Sequence, residues 1–230
     1  VLSLTFPPTC PLFTYHDIDI ELSPDLMKSY KRFQKDMLMQ LGKKEVVALS
    51  AAALVQKLAQ YASGATYYLD DDQVRDVAFI HGEKVTALEK LHKSIGHRPL
   101  LVMTQFVHEA ERIVEALPHA QMFDDRKMGD WNAGKISVWV AHPKSMSHGL
   151  QMQGTCFDIV FFTLGYSYED YKQSICRIAR TGQKSPTNVY RLLATNTIDW
   201  AMASVLESKA SGESALKDVL RYVKTLDSSG

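Results

Sequence analysis

Apolar residues recur along this chain with two different periods, and the texture changes near residue 82. Ahead of that point, alternation in Tyr15-His16-Asp17-Ile18-Asp19-Ile20 marks the first 20 residues as extended. Ser23-Pro24-Asp25 then opens a helix, with a capping hydroxyl, a proline in the first turn and an early carboxylate. Leu22, Leu26, Tyr30, Phe33, Met37 and Leu41 follow at three-to-four spacing until Gly42. A second helix, about 48–62, carries Leu54, Leu58 and Tyr61 and stops at Ser63-Gly64. Residues 66–79, with the acidic run Asp70-Asp71-Asp72, read as a loop.

From residue 82 helices and short apolar strands alternate. A helix at 83–95 ends at Gly96, and strands are expected at 100–103, 120–123, 137–141, 158–162 and 188–193. Helices at 106–117, 125–132 and 168–180 separate them, and two more, at 197–208 and 212–224, close the chain. Wholly apolar strands between amphipathic helices indicate a parallel sheet covered on both faces. The expected architecture is α/β, with a lead-in strand and helical protrusion at 1–80 and an α/β lobe at 81–230. Ligands of such sheets gather at the carboxyl ends of the strands. That points to Thr104-Gln105-Phe106, to residues 142–153 and to the stretch after Phe162.

An apolar content of 46% fits a globular chain and excludes wholesale disorder. No run approaches the ~18 apolar residues of a membrane span. Residues 1–12 lack a basic start and hold three prolines, unlike a signal peptide, so an intracellular, cytoplasmic protein is expected. With 26 basic and 26 acidic residues the net charge is zero. That excludes a strongly basic packaging protein, but a local patch is enough to meet a phosphate backbone. Cys10, Cys156 and Cys176 form neither a disulfide framework nor a CxxC knuckle, and no histidine pair has metal-site spacing. There is also no nucleophile elbow, no G-x-G-x-x-G and no pair of catalytic carboxylates, which leaves a small-molecule enzyme without support.

Residues 129–136, GDWNAGKI, nearly match the phosphate loop G-x-x-x-x-G-K-[ST]. Ile136 stands where a magnesium-binding hydroxyl is required, and the order is reversed. A phosphate loop follows a strand and opens a helix, whereas this match closes a helix and opens a strand. Gly134 reads instead as a helix C-cap.

The most informative segment is Gln173-Ser-Ile-Cys-Arg177-Ile-Ala-Arg180-Thr-Gly-Gln183. At ~100° per residue, Gln173, Arg177 and Arg180 lie within about 60° of one another on one helical face. Residues 172–191 carry Lys172, Arg177, Arg180, Lys184 and Arg191 and no acid, a local field aimed at an anion. Taken alone, the same residues also fit an ordinary solvated face.

The order of motifs around them resembles a known family. Leu100-Leu-Val-Met-Thr-Gln-Phe106, then Ser147-His-Gly149-Leu-Gln-Met-Gln153, then the Gln/Arg/Arg/Gly-Gln run resemble three ordered motifs of the C-terminal helicase lobe of Swi/Snf-type translocases. These belong to helicase superfamily two, and the likeness is to compact bacterial and phage-borne members. It covers about residues 82–205, and the helical region 22–62 resembles the protrusion that leads into that lobe. The chain departs from the pattern at Gln151, usually asparagine, at Met146 and His148, usually small, at Cys176, usually aspartate, and at Ala179, often histidine.

The resemblance implies a RecA-like second lobe of the P-loop NTPase type. ATP and Mg2+ would be held mainly by an N-terminal lobe not contained in these residues. This lobe would supply Arg180, and secondarily Arg177, to the γ-phosphate. Gln173 would orient the arginines, and Gly149 would let the backbone approach the nucleotide. Nucleic acid, expected to be duplex DNA, would meet Thr104, Gln105, Lys144, Ser145 and Ser147 through its backbone, although Ser145 and Ser147 also fit a plain loop. Tyr166 and Tyr168 could touch DNA or a base, or simply pack. The resemblance makes the lobe an ATP-dependent translocase half, monomeric and inert alone. The alternative is a non-catalytic RecA-like module that binds nucleic acid or protein.

Overall fold

The computed structural model describes residues 13–42, 48–70, 72–146, 152, 155–179, 183, 185–209 and 212–228. The chain begins with strand β1 (Phe13–Ile20), followed by helices α1 (Pro24–Gly42) and α2 (Ala48–Ser63). Ser23 caps α1 as its sequence implies, its Oγ accepting the Leu26 N–H at 3.3 Å. Next comes a departure from the expected loop at 66–79. Strands β2 (Ala65–Leu69) and β3 (Arg75–Phe79) form an antiparallel hairpin, and Asp70 and Asp72 lie at its turn. There the Val74 N–H donates to Asp70 Oδ1 at 2.7 Å, and Gln73 takes a φ of 60°.

The remaining elements alternate as the apolar pattern requires. They are α3 (Glu83–Ser94), β4 (Leu100–Met103), α4 (Val107–Ala116), β5 (Ala120–Met122), α5 (Met128–Asn132), β6 (Val138–Ala141), β7 (Asp158–Phe161), α6 (Tyr168–Ile178), β8 (Thr187–Ala194), α7 (Ile198–Glu207) and α8 (Gly212–Ser228). The six-stranded sheet has the order β1-β8-β7-β4-β6-β5 and is parallel throughout.

Both faces are covered because successive strand residues point to opposite sides and both sides are apolar. Leu101, Met103, Trp139, Ile159, Phe161 and Val189 join one core with residues of α2, α6, α7 and α8. Leu100, Val102, Val138, Val140, Val160 and Leu192 join a second core with Leu88 and Leu91 of α3 and Ile113 of α4. The helices ahead of the hairpin are tied to the closing ones. Tyr30, fully buried, accepts the Ile198 N–H at 2.9 Å, and Gln34 donates to the Val223 carbonyl at 3.1 Å. Among the described residues no helix is long and apolar enough to cross a membrane.

Candidate nucleotide and nucleic-acid site

After β6 the chain crosses over β4 to reach β7, so the strand order reverses beside β4, and a crevice opens at the carboxyl ends there. The crevice is a cleft of about 280 Å³. Gln105 and Phe106 line it from the end of β4, His142 to Lys144 from the end of β6, and Leu164 to Ser167 from the end of β7. Val55, Gln56 and Ala59 of α2 form the opposite wall.

Gln105 and Lys144, both singled out from sequence, therefore face one cavity. Gln105 lies close over Gly165, where an added Cβ would sit 3.2 Å from the Gln105 amide and the side chain would have to shift by a few tenths of an ångström. Lys144 is exposed, and its N–H donates to His142 Nδ1 at 3.1 Å. Burial, and then the Lys144 cation, hold the His142 pKa below its ordinary value. Ser145 is exposed just outside the cleft, with its hydroxyl donating to the His142 carbonyl at 2.8 Å. Thr104 is different. It is 2% exposed and its hydroxyl faces the Ala141 carbonyl at 3.5 Å, so the offered polar group at the end of β4 is Gln105. Tyr166 lines the cleft, while Tyr168 opens α6; both pack partly against the core.

Helix α6 is well started, with Ser167 Oγ accepting the Asp170 N–H at 3.2 Å and Glu169 and Asp170 in the first turn. Its Gln173 is exposed and donates to Glu169 Oε1 at 3.0 Å. Arg177 does not point outward on the polar stripe that helical spacing gave it. It is 7% exposed, and its Nη2 lies 3.4 Å from the Met146 carbonyl. Helix α6 thus sits against the Met146 end of the segment after β6. Ser147, Gly149 and Arg180 lie outside the described residues.

The expected basic field needs a correction. Arg191 is committed to acids, with its Nη2 2.6 Å from Asp17 Oδ2 and 2.9 Å from Glu207 Oε1. These two carboxylates come from β1 and α7, so Arg191 staples the sheet edge to a helix and offers no free charge.

The near-match at 129–136 is no phosphate cradle. Helix α5 ends inside it, Gly134 takes a φ of 73° with its N–H on the Trp131 carbonyl, and Lys135 Nζ pairs with Asp130 at 3.0 Å. Among the described residues, then, this stretch does not fit a triphosphate.

Two buried residues in this region escaped the sequence reading. Glu109 and Thr163, both 0% exposed, join below the cleft through a 2.7 Å hydrogen bond. A glutamate at the third position of a helix is a recognisable cap signal, but its tie to Thr163 is invisible before folding.

Across 96% of its length the chain superposes on 98% of the C-terminal part of the Fun30 ATPase domain, with a TM-score of 0.72 at 12% identity. The chain shares the α/β, RecA-like fold of that structure. A Sulfolobus solfataricus SWI2/SNF2 ATPase core in complex with dsDNA matches over 94% of this chain and 47% of its own length, at TM-score 0.60 and 13% identity. In sequence the chain is 34% identical over 210 residues to protein p41 of Acyrthosiphon pisum secondary endosymbiont phage 1, covering 88% of this chain and 44% of that protein. It is 26% identical over 210 residues to an uncharacterized ATP-dependent helicase of Mycoplasma genitalium, covering 84% of this chain and 20% of that one. The chain spans under half the length of these curated relatives. No protein-family model matches it.

Proposed function

We propose that this lobe is the C-terminal half of an ATP-dependent translocase that moves on duplex DNA. The observation that carries the proposal is the near end-to-end match to the C-terminal part of a Swi2/Snf2-type ATPase domain, made by a chain with no phosphate cradle in its near-match segment. In this reading the nucleotide and Mg2+ are held by an N-terminal lobe of the parent protein. Arg180 supplies a guanidinium group, whose permanent charge and planar donor fork suit the equatorial oxygens of a γ-phosphate, and Arg177, buried against the Met146 carbonyl, supports the same helix end. Gln173 and Gly149 shape the approach to the nucleotide. The cleft at the strand ends, with Gln105, Lys144 and the neighbouring Ser145, faces the DNA backbone and reads no base sequence, and Ser147 is assigned to the same backbone contact.

The test is ATP hydrolysis by the full-length protein with and without duplex DNA. Duplex should raise turnover, and Arg180→Ala should lower it by ~10³-fold. Lys144→Ala should weaken binding equally on all sequences and reduce the salt dependence by about one counterion. Turnover that survives Arg180→Ala removes the arginine-finger role. DNA binding without any hydrolysis, and insensitive to ATP, makes the lobe a binding module instead.

A further inference from the structure

A chain of buried polar groups runs beneath the cleft. In α7, Asp199 accepts the Ala194 N–H from the end of β8 at 2.9 Å and pairs with Lys84 of α3 at 2.7 Å. Lys84 Nζ also donates to the Phe162 carbonyl, just past β7, at 2.9 Å. The next residue, Thr163, donates its hydroxyl to Glu109 Oε1 at 2.7 Å. Glu109 Oε2 accepts the N–H groups of Gln105 at 2.9 Å and Phe106 at 3.2 Å, just past β4. Strands β8, β7 and β4 are consecutive in the sheet, so the chain laces three adjacent strand ends together.

Glu109 is more than the cap of α4. A capping carboxylate on a helix in water does its work at the surface, where ionisation is free. This one is 0% exposed, and burial raises its pKa, although Thr163, Gln105, Lys84 and Phe106 all pull the other way. A short polar cap would satisfy the same backbone groups without burying a charge. The second oxygen explains the arrangement. It reaches a different loop, the one that continues through Leu164, Gly165 and Tyr166 into the cleft wall. Gln105 closes the ring by packing over Gly165.

We propose that Glu109 is a positioning residue that locks the Gln105 loop to the Thr163–Tyr166 loop, so that the cleft meets a nucleic-acid backbone already formed. This rests on the motor reading above for the identity of the ligand. Glu109 itself touches no ligand. It spares the two loops the ordering that binding would otherwise demand.

The test uses the full-length protein, a duplex oligonucleotide, Glu109→Gln and Thr163→Val, with Thr163→Ser as the conservative control. In each of the first two variants the duplex concentration for half-maximal ATPase stimulation should rise about tenfold, the loss of a hydrogen bond to a charged group. Turnover at saturating duplex should stay within about twofold, a split that general destabilisation does not produce. Thr163→Ser should behave as wild type. Amide exchange over residues 104–108 should quicken in both disruptive variants. Unchanged half-saturation together with unchanged exchange overturns the assignment, whatever the melting temperature does. If the wild type ignores duplex DNA altogether, the motor reading falls and exchange decides the clamp. Faster exchange at 104–108 then supports it, and no change overturns it.

Discussion

His108 and Glu109 are neighbours at the start of α4, both almost wholly buried, and they treat burial in opposite ways. Glu109 has three donors for its two oxygens and serves the strand-end cleft. His108 serves the β2–β3 hairpin. Its ring lies flat against Phe106, with centroids 5.5 Å apart, and meets Tyr67 of the hairpin edge-on at 5.0 Å. Neither of its ring nitrogens has a hydrogen-bond partner. The contrast separates two kinds of attachment in one molecule. The Glu109 side chain fixes a geometry through directional bonds, whereas the His108 side chain meets the hairpin by ring packing alone. The hairpin's directional bonds come from elsewhere, with the Tyr67 N–H donating to Gln60 Oε1 at 3.1 Å and the His108 backbone N–H to the Tyr67 hydroxyl at 3.4 Å. An unpartnered buried polar atom costs about 1–3 kcal/mol, whereas a satisfied network adds rigidity.

The sharpest way to break the satisfied side is to orphan a charge in it. Lys84→Met leaves Asp199, 1% exposed, without its cation. Removing one partner of a buried pair costs about 3–5 kcal/mol, and replacing both partners recovers much of that. Urea unfolding of Lys84→Met should show a loss of this size, and Lys84→Met with Asp199→Asn a smaller one. If the single variant loses under about 1 kcal/mol, water reaches the chain and the lacing is weaker than its geometry.

Acid attacks the other side. Burial holds His108 at about 4 and, with the Arg112 cation nearby, the same is true of His81, whose Nδ1 also has no partner. Unfolded, both titrate near 6.5. Between those values the unfolded chain binds more protons than the folded one, so stability falls as pH falls. The slope is about 1.4 kcal/mol per pH unit for each histidine. His92 and His142 are shifted in the same direction. Glu109 is raised, so its contribution is lost as pH rises, and it opposes the histidines over the part of the window where both titrate. Unfolding midpoints measured from pH 7 to pH 4 should fall steadily. Glu109→Gln should steepen the fall by removing the opposing group, and exchange should quicken first in the hairpin. A flat profile would falsify the view that these rings are buried neutral.

The same division explains what the sequence made legible. Strand β4 and its neighbours read correctly because each is an unbroken apolar run, and the start of α1 and the end of α5 carry their own signals in Ser23 and Gly134. Packing that depends on local pattern is visible in a pattern. The hairpin was not, because Leu69, Val74 and Phe79 remain exposed after folding and leave no burial period to detect. Charges misled for a different reason. Arg191 read as free because its partner Asp17 lies 174 positions away, and Glu109 read as nothing because Thr163 lies 54 away. Arg177 sat on a polar stripe by helical spacing, yet the segment at Met146 covers it. A sequence shows which residues can carry charge, and only the fold shows where that charge is spent.

The smallest expected effect is the most discriminating. His108→Phe keeps the flat contact with Phe106 and the edge contact with Tyr67 while deleting two unpartnered nitrogens. At pH 7 the native ring is neutral, so no charge is lost, and the substitution removes only a desolvated polar group. The folded state should gain about 1 kcal/mol, and the acid-induced loss should shrink by the share of one histidine. Glu109→Gln, one residue along, should cost stability at the same pH. If His108→Phe instead destabilises by 1 kcal/mol or more, the ring nitrogens have a partner in solution. The His108 side chain would then make a directional bond after all, and the two neighbours would be doing the same job.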